Sequence, residues 1–115
     1  MITIQVDEAY AFDMLAILEL KKNRSEADET NYDLFLSNIS RQVGMTLTGD
    51  IMISDVYEDL LRANKEVFDY VEQICAGDSL DAAIVHNSNM KRFHLKKKLQ
   101  ASFFGGDLNE RKTVK

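Results

Sequence analysis

Four polar residues recur along the segment "NMKRFHLKKKLQ" at the spacing of a single helix face. They are Asn89, Arg92, Lys96 and Gln100. Positions i, i+3, i+7 and i+11 return to the same side of an α-helix. Arginine holds an oxyanion through two parallel hydrogen bonds, and lysine adds a point charge. The row has the chemistry to bind an anion such as a phosphate or a carboxylate.

The pattern of the last helix predicts that this row faces the protein core. Ala82, Val85, Phe93, Leu99 and Phe103 fall on the same arc, whereas Lys91, His94 and Lys98 fall on the opposite side. A buried cation needs a carboxylate or other acceptors beside it. We therefore expect acceptors on neighbouring helices.

Two polar residues elsewhere occupy similarly apolar positions. Glu19 lies on a helix that is apolar almost all round, and Asn64 interrupts the apolar stripe of another. The sequence predicts one internal polar cluster, formed by Glu19, Asn64, Asn89, Arg92, Lys96 and Gln100. It is either a closed network that fixes helix register, or a site open at one end. In the second case Arg92 and Lys96 bind an anion and the amides orient it.

The helices that must position these residues are delimited by capping signals. After an extended "ITIQV", a first helix runs from Asp7 or Glu8 to Asn23. Ser25 opens the second helix, which Gly44 ends. "TLTGDIMI", near 45–53, alternates about a Gly-Asp pair and permits a small β-hairpin or an irregular linker. Ser54 or Asp55 opens the third helix.

The last helix completes the predicted fold. Gly77 ends the third helix, and Asp78 with Asp81 opens a segment that runs to about Phe104. Proline, which breaks helices, does not occur in the 115 residues. We expect a single all-α domain over 1–115, an antiparallel bundle of about four helices, with a loosely ordered tail at 105–115.

Three segments together resemble an uncharacterised family of small helical bacterial and phage proteins, a domain of unknown function. They are "FDMLAILELK" (12–21), "YEDLLRANKEVFDYVEQI" (57–74) and "NMKRFHLKKKLQ" (89–100). The family pattern falls on Asp13, Glu19, Lys21, Asn64, Glu72, Asn89, Arg92 and Lys96, and on Glu110 with Lys112 in the tail. Phe68 stands where many relatives have tryptophan, and two extra residues precede Asp13. The family has no established activity, so the resemblance implies a shared site and no particular chemistry.

One pattern in the sequence suggests an enzyme instead. "EADE" (26–29) and "EVFD" (66–69) match the acidic pairs of metal-dependent helical nucleotide hydrolases. Glu66, however, is predicted opposite the buried stripe, whereas ligands of Mg²⁺ should face inward. His86 and His94 lack zinc-site spacing, and Cys75 belongs to an apolar stripe as a core thiol. We expect no cofactor, no metal and no catalytic residue.

Charge is distributed unevenly along the chain. Residues 1–85 carry 17 acidic and 6 basic side chains, and residues 86–115 carry 2 acidic and 8 basic. A basic helix can bind nucleic acid, or it can pack beside acidic helices. Phe93, Phe103 and Phe104 are predicted to point coreward, which leaves the basic face without aromatic stacking platforms and makes the nucleic-acid signal weak.

The remaining features favour a small intracellular protein. No signal peptide is recognised at the N-terminus, and the apolar run "MLAIL" is too short to cross a bilayer. The sequence therefore predicts a cytoplasmic, non-catalytic interaction or assembly module. Its partner is another protein or a second copy, and binding of an anion through Asn89, Arg92 and Lys96 is the alternative.

Overall fold

Five α-helices make up the fold in the computed structural model, which describes residues 2, 5–77, 79 and 81–105. They are α1 (Glu8–Lys21), α2 (Glu26–Val43), α3 (Met45–Met52), α4 (Asp55–Cys75) and α5 (Ala82–Phe104). The all-α class is confirmed, and the described residues contain no strand. The helix count is five rather than about four.

Capping side chains begin three of the helices, as the sequence predicts. Ser25 Oγ accepts a hydrogen bond from the backbone N–H of Asp28, and Ser54 Oγ from that of Tyr57. The carboxylate of Asp81 accepts one from the N–H of Ala83. Each bond satisfies a backbone donor that has no partner within its own helix.

The predicted hairpin or linker near 45–53 is wrong, because this segment forms α3. Gly44 ends α2 at a φ of 102° and leads directly into α3. Thr48 and Ile51 are the buried residues of α3, and their i, i+3 spacing is that of a helix face. Apolar and polar residues alternate in "TLTGDIMI" over too few positions to distinguish a strand from a short helix.

Helix α1 lies at the centre of the fold and packs against α2, α4 and α5. Its buried residues are Ala9, Phe12, Asp13, Leu15 and Ala16. The ring of Phe12 makes an edge-to-face contact with Tyr57 of α4, with ring centroids 6.4 Å apart. A helix that is apolar on nearly every side is buried by several neighbours, as its composition predicts.

Helices α4 and α5 form a hairpin. Other helices cover only part of the end at which α4 stops and α5 begins. The buried residues of α4 all precede Lys65. Val71 and Ile74, which continue the apolar stripe of α4 beyond Asn64, are each 49% exposed. Cys75 is exposed as well, so its assignment as a core thiol is wrong. The apolar stripe of α4 thus runs beyond the part that α1 covers.

Helix α5 is rotated relative to the sequence prediction. Ser88 and Leu99 are buried, whereas Asn89 is exposed and Phe93 is 45% exposed. At 100° per residue, Ser88 and Leu99 lie about 80 to 100° away from Asn89 around the helix, whereas Gln100, the third buried residue of α5, lies about 20° from it. The prediction that Phe93 points coreward is therefore wrong. Phe103 and Phe104 do pack against the core.

Some predicted features lie outside the described residues. They include Ile4 of the extended N-terminal segment, Asp78 as a helix start, and the tail at 106–115 with Glu110 and Lys112.

Candidate functional site: a buried ion-pair cluster around Asp13

A buried carboxylate on α1 is the centre of the polar site. Arg92 donates from Nη2 to Oδ2 of Asp13 at 3.0 Å, and Lys96 Nζ lies 3.8 Å from the same oxygen. Asn64 donates from Nδ2 to Oδ1 of Asp13 at 2.9 Å. We call Asp13, Asn64, Arg92 and Lys96 the Asp13 cluster. It joins three helices, α1, α4 and α5.

Asn64 is held by two acceptors at once. Its side-chain nitrogen also donates to the backbone carbonyl of Leu60 at 3.1 Å, and the residue is only 1% exposed. A buried amide stays in a core when its donors are paired. Asn64 therefore orients the Asp13 carboxylate and ties it to the preceding turn of α4.

Within the Asp13 cluster, the carboxylate is buried more deeply than the two cations. The Asp13 side chain is 4% exposed, whereas those of Arg92 and Lys96 are 21% and 29% exposed. The anion is thus enclosed, and the two cations lie between it and the surface. Long basic side chains commonly bury their stems and leave the charged end near water.

This arrangement resembles a closed network more than an open anion site. One terminal nitrogen of Arg92 is bonded to Asp13 and the other donates to Asn89 Oδ1 at 3.3 Å. Arg92 Nε is buried without a hydrogen-bond partner. A free anion at this guanidinium would have to displace the internal carboxylate. The interactions therefore favour the fixing of helix register over ligand binding.

Gln100 fastens the start of α1 to α5. Its Oε1 accepts from the backbone N–H of Ala9 at 2.8 Å, and its Nε2 donates to Oε1 of Glu8 at 3.3 Å. Asp7 precedes α1 without a capping bond from its own side chain. A side chain from another helix thus satisfies a first-turn donor of α1.

Glu19 belongs to a different group of side chains. The hydroxyl of Tyr32 donates to Oε1 of Glu19 at 3.2 Å. Among the described residues, neither Arg92 nor Lys96 forms an ion pair with Glu19. Burial and the nearby Glu19 carboxylate raise the pKa of Tyr32 to about 12. Burial is also the main cause of the raised pKa of Tyr57, to which Glu19 contributes.

A third polar group links α4 to α5 near the surface. Glu66 Oε1 accepts from Ser88 Oγ at 3.0 Å and from the hydroxyl of Tyr70 at 3.1 Å. Lys91 Nζ lies 3.7 Å from Oε2 of Glu66. The hydrogen bond from Ser88 is the main cause of the lowered pKa of Glu66, and those of Tyr70 and Lys91 add to it. Glu66 therefore faces α5, not away from the other helices.

Only some of the residues brought forward by the family resemblance lie close together. Asp13, Asn64, Arg92 and Lys96 meet in the Asp13 cluster. At the other end of α1, the charged ends of Lys21 and Arg24 lie 5.7 and 5.9 Å from the ring centre of Phe68. Arg24 Nη2 also lies 3.7 Å from Oε1 of Glu72. These are cation–π contacts and an ion pair at the surface.

Sequence reasoning from helix faces missed Asp13 as the central carboxylate. Ala9 precedes Asp13 by four residues and Ala16 follows it by three, so all three share one face of α1. Two alanines on one face allow another helix to approach closely. That pattern marks the face of α1 where a buried acid can meet a cation from α5.

Within the described chain, no three His, Cys, Asp or Glu side chains gather in a way that could hold a metal ion. None of the helices described is both long and apolar enough to cross a membrane.

The chain has no match in comparisons with family models, curated proteins and solved structures.

Proposed function

We propose that this protein is a non-catalytic assembly module that self-associates through one end of its α4–α5 hairpin. In this proposal α1, α2, α4 and α5 are arranged as an antiparallel bundle, with α3 as a short link, and the Asp13 cluster holds the bundle in register. The observation that carries the proposal is the uncovered apolar stripe on the second half of α4.

Four residues define the surface, which we call the hairpin end: Val71, Ile74, Cys75 and Ile84. Val71 and Ile74 are three positions apart on α4, and Ile84 lies in the first turn of α5. The three aliphatic side chains are each 42 to 49% exposed. Because a short connection joins the two helices, these residues lie at the same end of the hairpin. Grouped exposed apolar side chains are typical of protein interaction sites.

A second copy is the partner that fits this surface most simply. The spacing on α4 is that of a core-facing stripe, but a single chain covers only the first half of it. Two helical hairpins that pack side by side over these ends form a four-helix arrangement in which each covers the stripe of the other. A two-fold interface of this kind uses the same patch on both copies.

Light scattering after size exclusion tests self-association directly. We expect a dimer at high micromolar protein concentration. The double substitution Val71→Ser with Ile74→Ser should shift the protein to monomer, because it removes the apolar contact. Leu34→Ser is the matched control, since Leu34 is a similarly exposed aliphatic residue on α2. A monomer at every concentration would overturn the proposal.

The single cysteine provides a second measurement. Cys75 is the only cysteine in the chain and lies at the hairpin end. We expect a short bis-maleimide to cross-link two copies through Cys75. The double serine variant should lose this product while its Cys75 still reacts with a monofunctional maleimide. Equal cross-linking of both proteins would show that the hairpin end is not the contact.

A further inference from the structure

A pocket between the first turn of α1 and the middle of α5 combines aromatic rings with lysines. Tyr10 of α1 and Phe93 of α5 line it, together with Lys96, Lys97, Asp7 and Gln100. Its volume is about 180 Å³. We call it the α1–α5 pocket. It lies outside the hairpin end, so what it binds is independent of self-association.

Both rings are partly exposed at the surface, and the ring of Phe93 also makes an edge-on contact with that of His94, with centroids 5.6 Å apart. Tyr10 is 50% exposed and Phe93 is 45% exposed. Aromatic side chains exposed beside cations are the stacking platforms of proteins that bind nucleobases. The nucleic-acid interpretation was weak on sequence because Phe93 was expected to be buried, and its exposure removes that objection.

Positive charge accompanies the rings. Lys97 Nζ lies 5.4 Å from the ring centre of Phe93. Lys96 lines the same pocket, and its ammonium is only loosely held, at 3.8 Å from Asp13. Within the Asp13 cluster, Lys96 shares its one carboxylate with Arg92, which lies closer to it. A phosphate in this position would meet both lysines.

We infer that the α1–α5 pocket binds a nucleoside monophosphate, with the base against Phe93 and Tyr10 and the phosphate between Lys96 and Lys97. The volume is below the roughly 300 to 1,000 Å³ of pockets that enclose a whole drug-sized ligand. A nucleoside monophosphate is itself of that size, so it would be only partly enclosed in this pocket. The ligand is a free nucleotide or one nucleotide of a single strand, which share this chemistry.

Acidic groups restrict the number of phosphates. Asp7 brings a carboxylate to the lining of the pocket, and the chain as a whole carries a net charge of −5. Both oppose a highly charged ligand. A monophosphate should therefore bind more tightly than the corresponding triphosphate.

Titration of the protein with AMP, followed by NMR chemical shifts, tests the inference. We expect AMP to shift the backbone signals of Phe93, Lys97 and Tyr10. Phe93→Leu should weaken binding about tenfold, because it removes a stacking face. Lys97→Gln should also weaken binding, and the matched control Lys98→Gln should not, since Lys98 is exposed and does not line the pocket.

Further ligands distinguish the outcomes. If inorganic phosphate binds as tightly as AMP, or if Phe93→Leu leaves AMP binding unchanged, stacking plays no part and the inference fails. It fails too if millimolar AMP produces no shifts. A hexanucleotide that binds more tightly than AMP, with affinity falling steeply with salt, assigns the source as a single strand. Weaker binding of the hexanucleotide assigns it as a free nucleotide.

The Val71→Ser, Ile74→Ser variant separates this inference from the proposed assembly. It should bind AMP as the unsubstituted protein does, whatever its oligomeric state. Loss of AMP binding in that variant would place the ligand at the hairpin end and overturn the assignment to the α1–α5 pocket.

Discussion

Nη2 of Arg92 lies 3.0 Å from Oδ2 of Asp13, although 79 residues separate them in the sequence. The carboxylate is almost completely buried, and the guanidinium covers it from the solvent side. Lys96 stands farther from the same oxygen, at 3.8 Å. Arg92 is thus the principal partner of a buried charge, and the stability of the α1–α5 contact depends on it.

Replacement of Arg92 with alanine is expected to lower the free energy of unfolding by about 3 kcal/mol, because it leaves the Asp13 carboxylate poorly compensated. This loss is at the lower end of the range for a broken buried ion pair, because Lys96 and Asn64 still contact Asp13. Urea denaturation measures the change. Lys98→Ala, on the exposed side of α5, serves as the control and should change stability by less than about 0.5 kcal/mol.

A double-mutant cycle tests whether the direct interaction between Asp13 and Arg92 causes this loss of stability. Asp13→Asn combined with Arg92→Ala should cost less than the sum of the two single changes, with a coupling of at least about 1 kcal/mol. Strict additivity would contradict a direct interaction between the two side chains.

Asn64 should tolerate neither loss of its amide nor gain of a charge. Asn64→Ala removes the donor to Asp13 and to the carbonyl of Leu60, at a cost of about 2 kcal/mol. Asn64→Asp should cost more, because it places a second carboxylate against Asp13. Thermal unfolding of both variants measures the order. Asn87 is an exposed asparagine on α5, so Asn87→Ala is the control that reports the helix-propensity effect alone. If Asn64→Asp cost less stability than Asn64→Ala, the assigned contact with Asp13 would be refuted.

Tyr32 should make the fold sensitive to alkali. Its folded-state pKa is about 12, compared with an ordinary value of 10.0. Between these values the unfolded phenol has lost its proton while the folded one keeps it, so stability declines as the pH rises. This contribution is fully present below pH 10. Tyr32→Phe should reduce the decline between pH 10 and 12, measured by urea midpoints; an unchanged slope would contradict the raised pKa of Tyr32.

Two glycines, one before α3 and one inside it, should respond in opposite directions to replacement by alanine. Gly49 lies inside α3, has no positive φ, and has nothing within 4 Å of where a Cβ would stand. Gly49→Ala should therefore stabilise the protein by about 0.5 to 1 kcal/mol. Gly44 has a φ of +102°, so Gly44→Ala should destabilise it. Differential scanning calorimetry distinguishes the two, and destabilisation by Gly49→Ala would argue against a helix at 45–52.

Helix boundaries were predictable because local chemistry sets them. Ser25, Ser54 and Asp81 cap their helices through bonds within three residues, and Gly44 stops α2 by its backbone conformation. The α3 helix was not predictable, because its identity depends on burial of Thr48 and Ile51 against other elements. A short segment of mixed pattern does not carry that information.

The polar site was predictable only in part, for a geometric reason. Arg92 and Lys96 are close enough to the buried side of α5 to reach inward, and the prediction placed them among core residues. The sequence pattern centres the buried face of α5 on Asn89. In the structure, the core lies nearer to Ser88 and Leu99. Partners on other helices depend on how the helices pack, so Glu19 could not be separated from Asp13 by its own helix pattern.

The Asp13 cluster also constrains the order of folding. Its donors follow Asp13 by 51 residues for Asn64 and by 79 for Arg92, so no local segment can assemble it. Pairing of α4 with α5 needs only a short loop, and its chain-closure entropy is small, whereas docking of α1 closes a much longer one. The Asp13 carboxylate therefore loses its hydration only when α1 docks against α4 and α5, whatever the order in which the other helices pair.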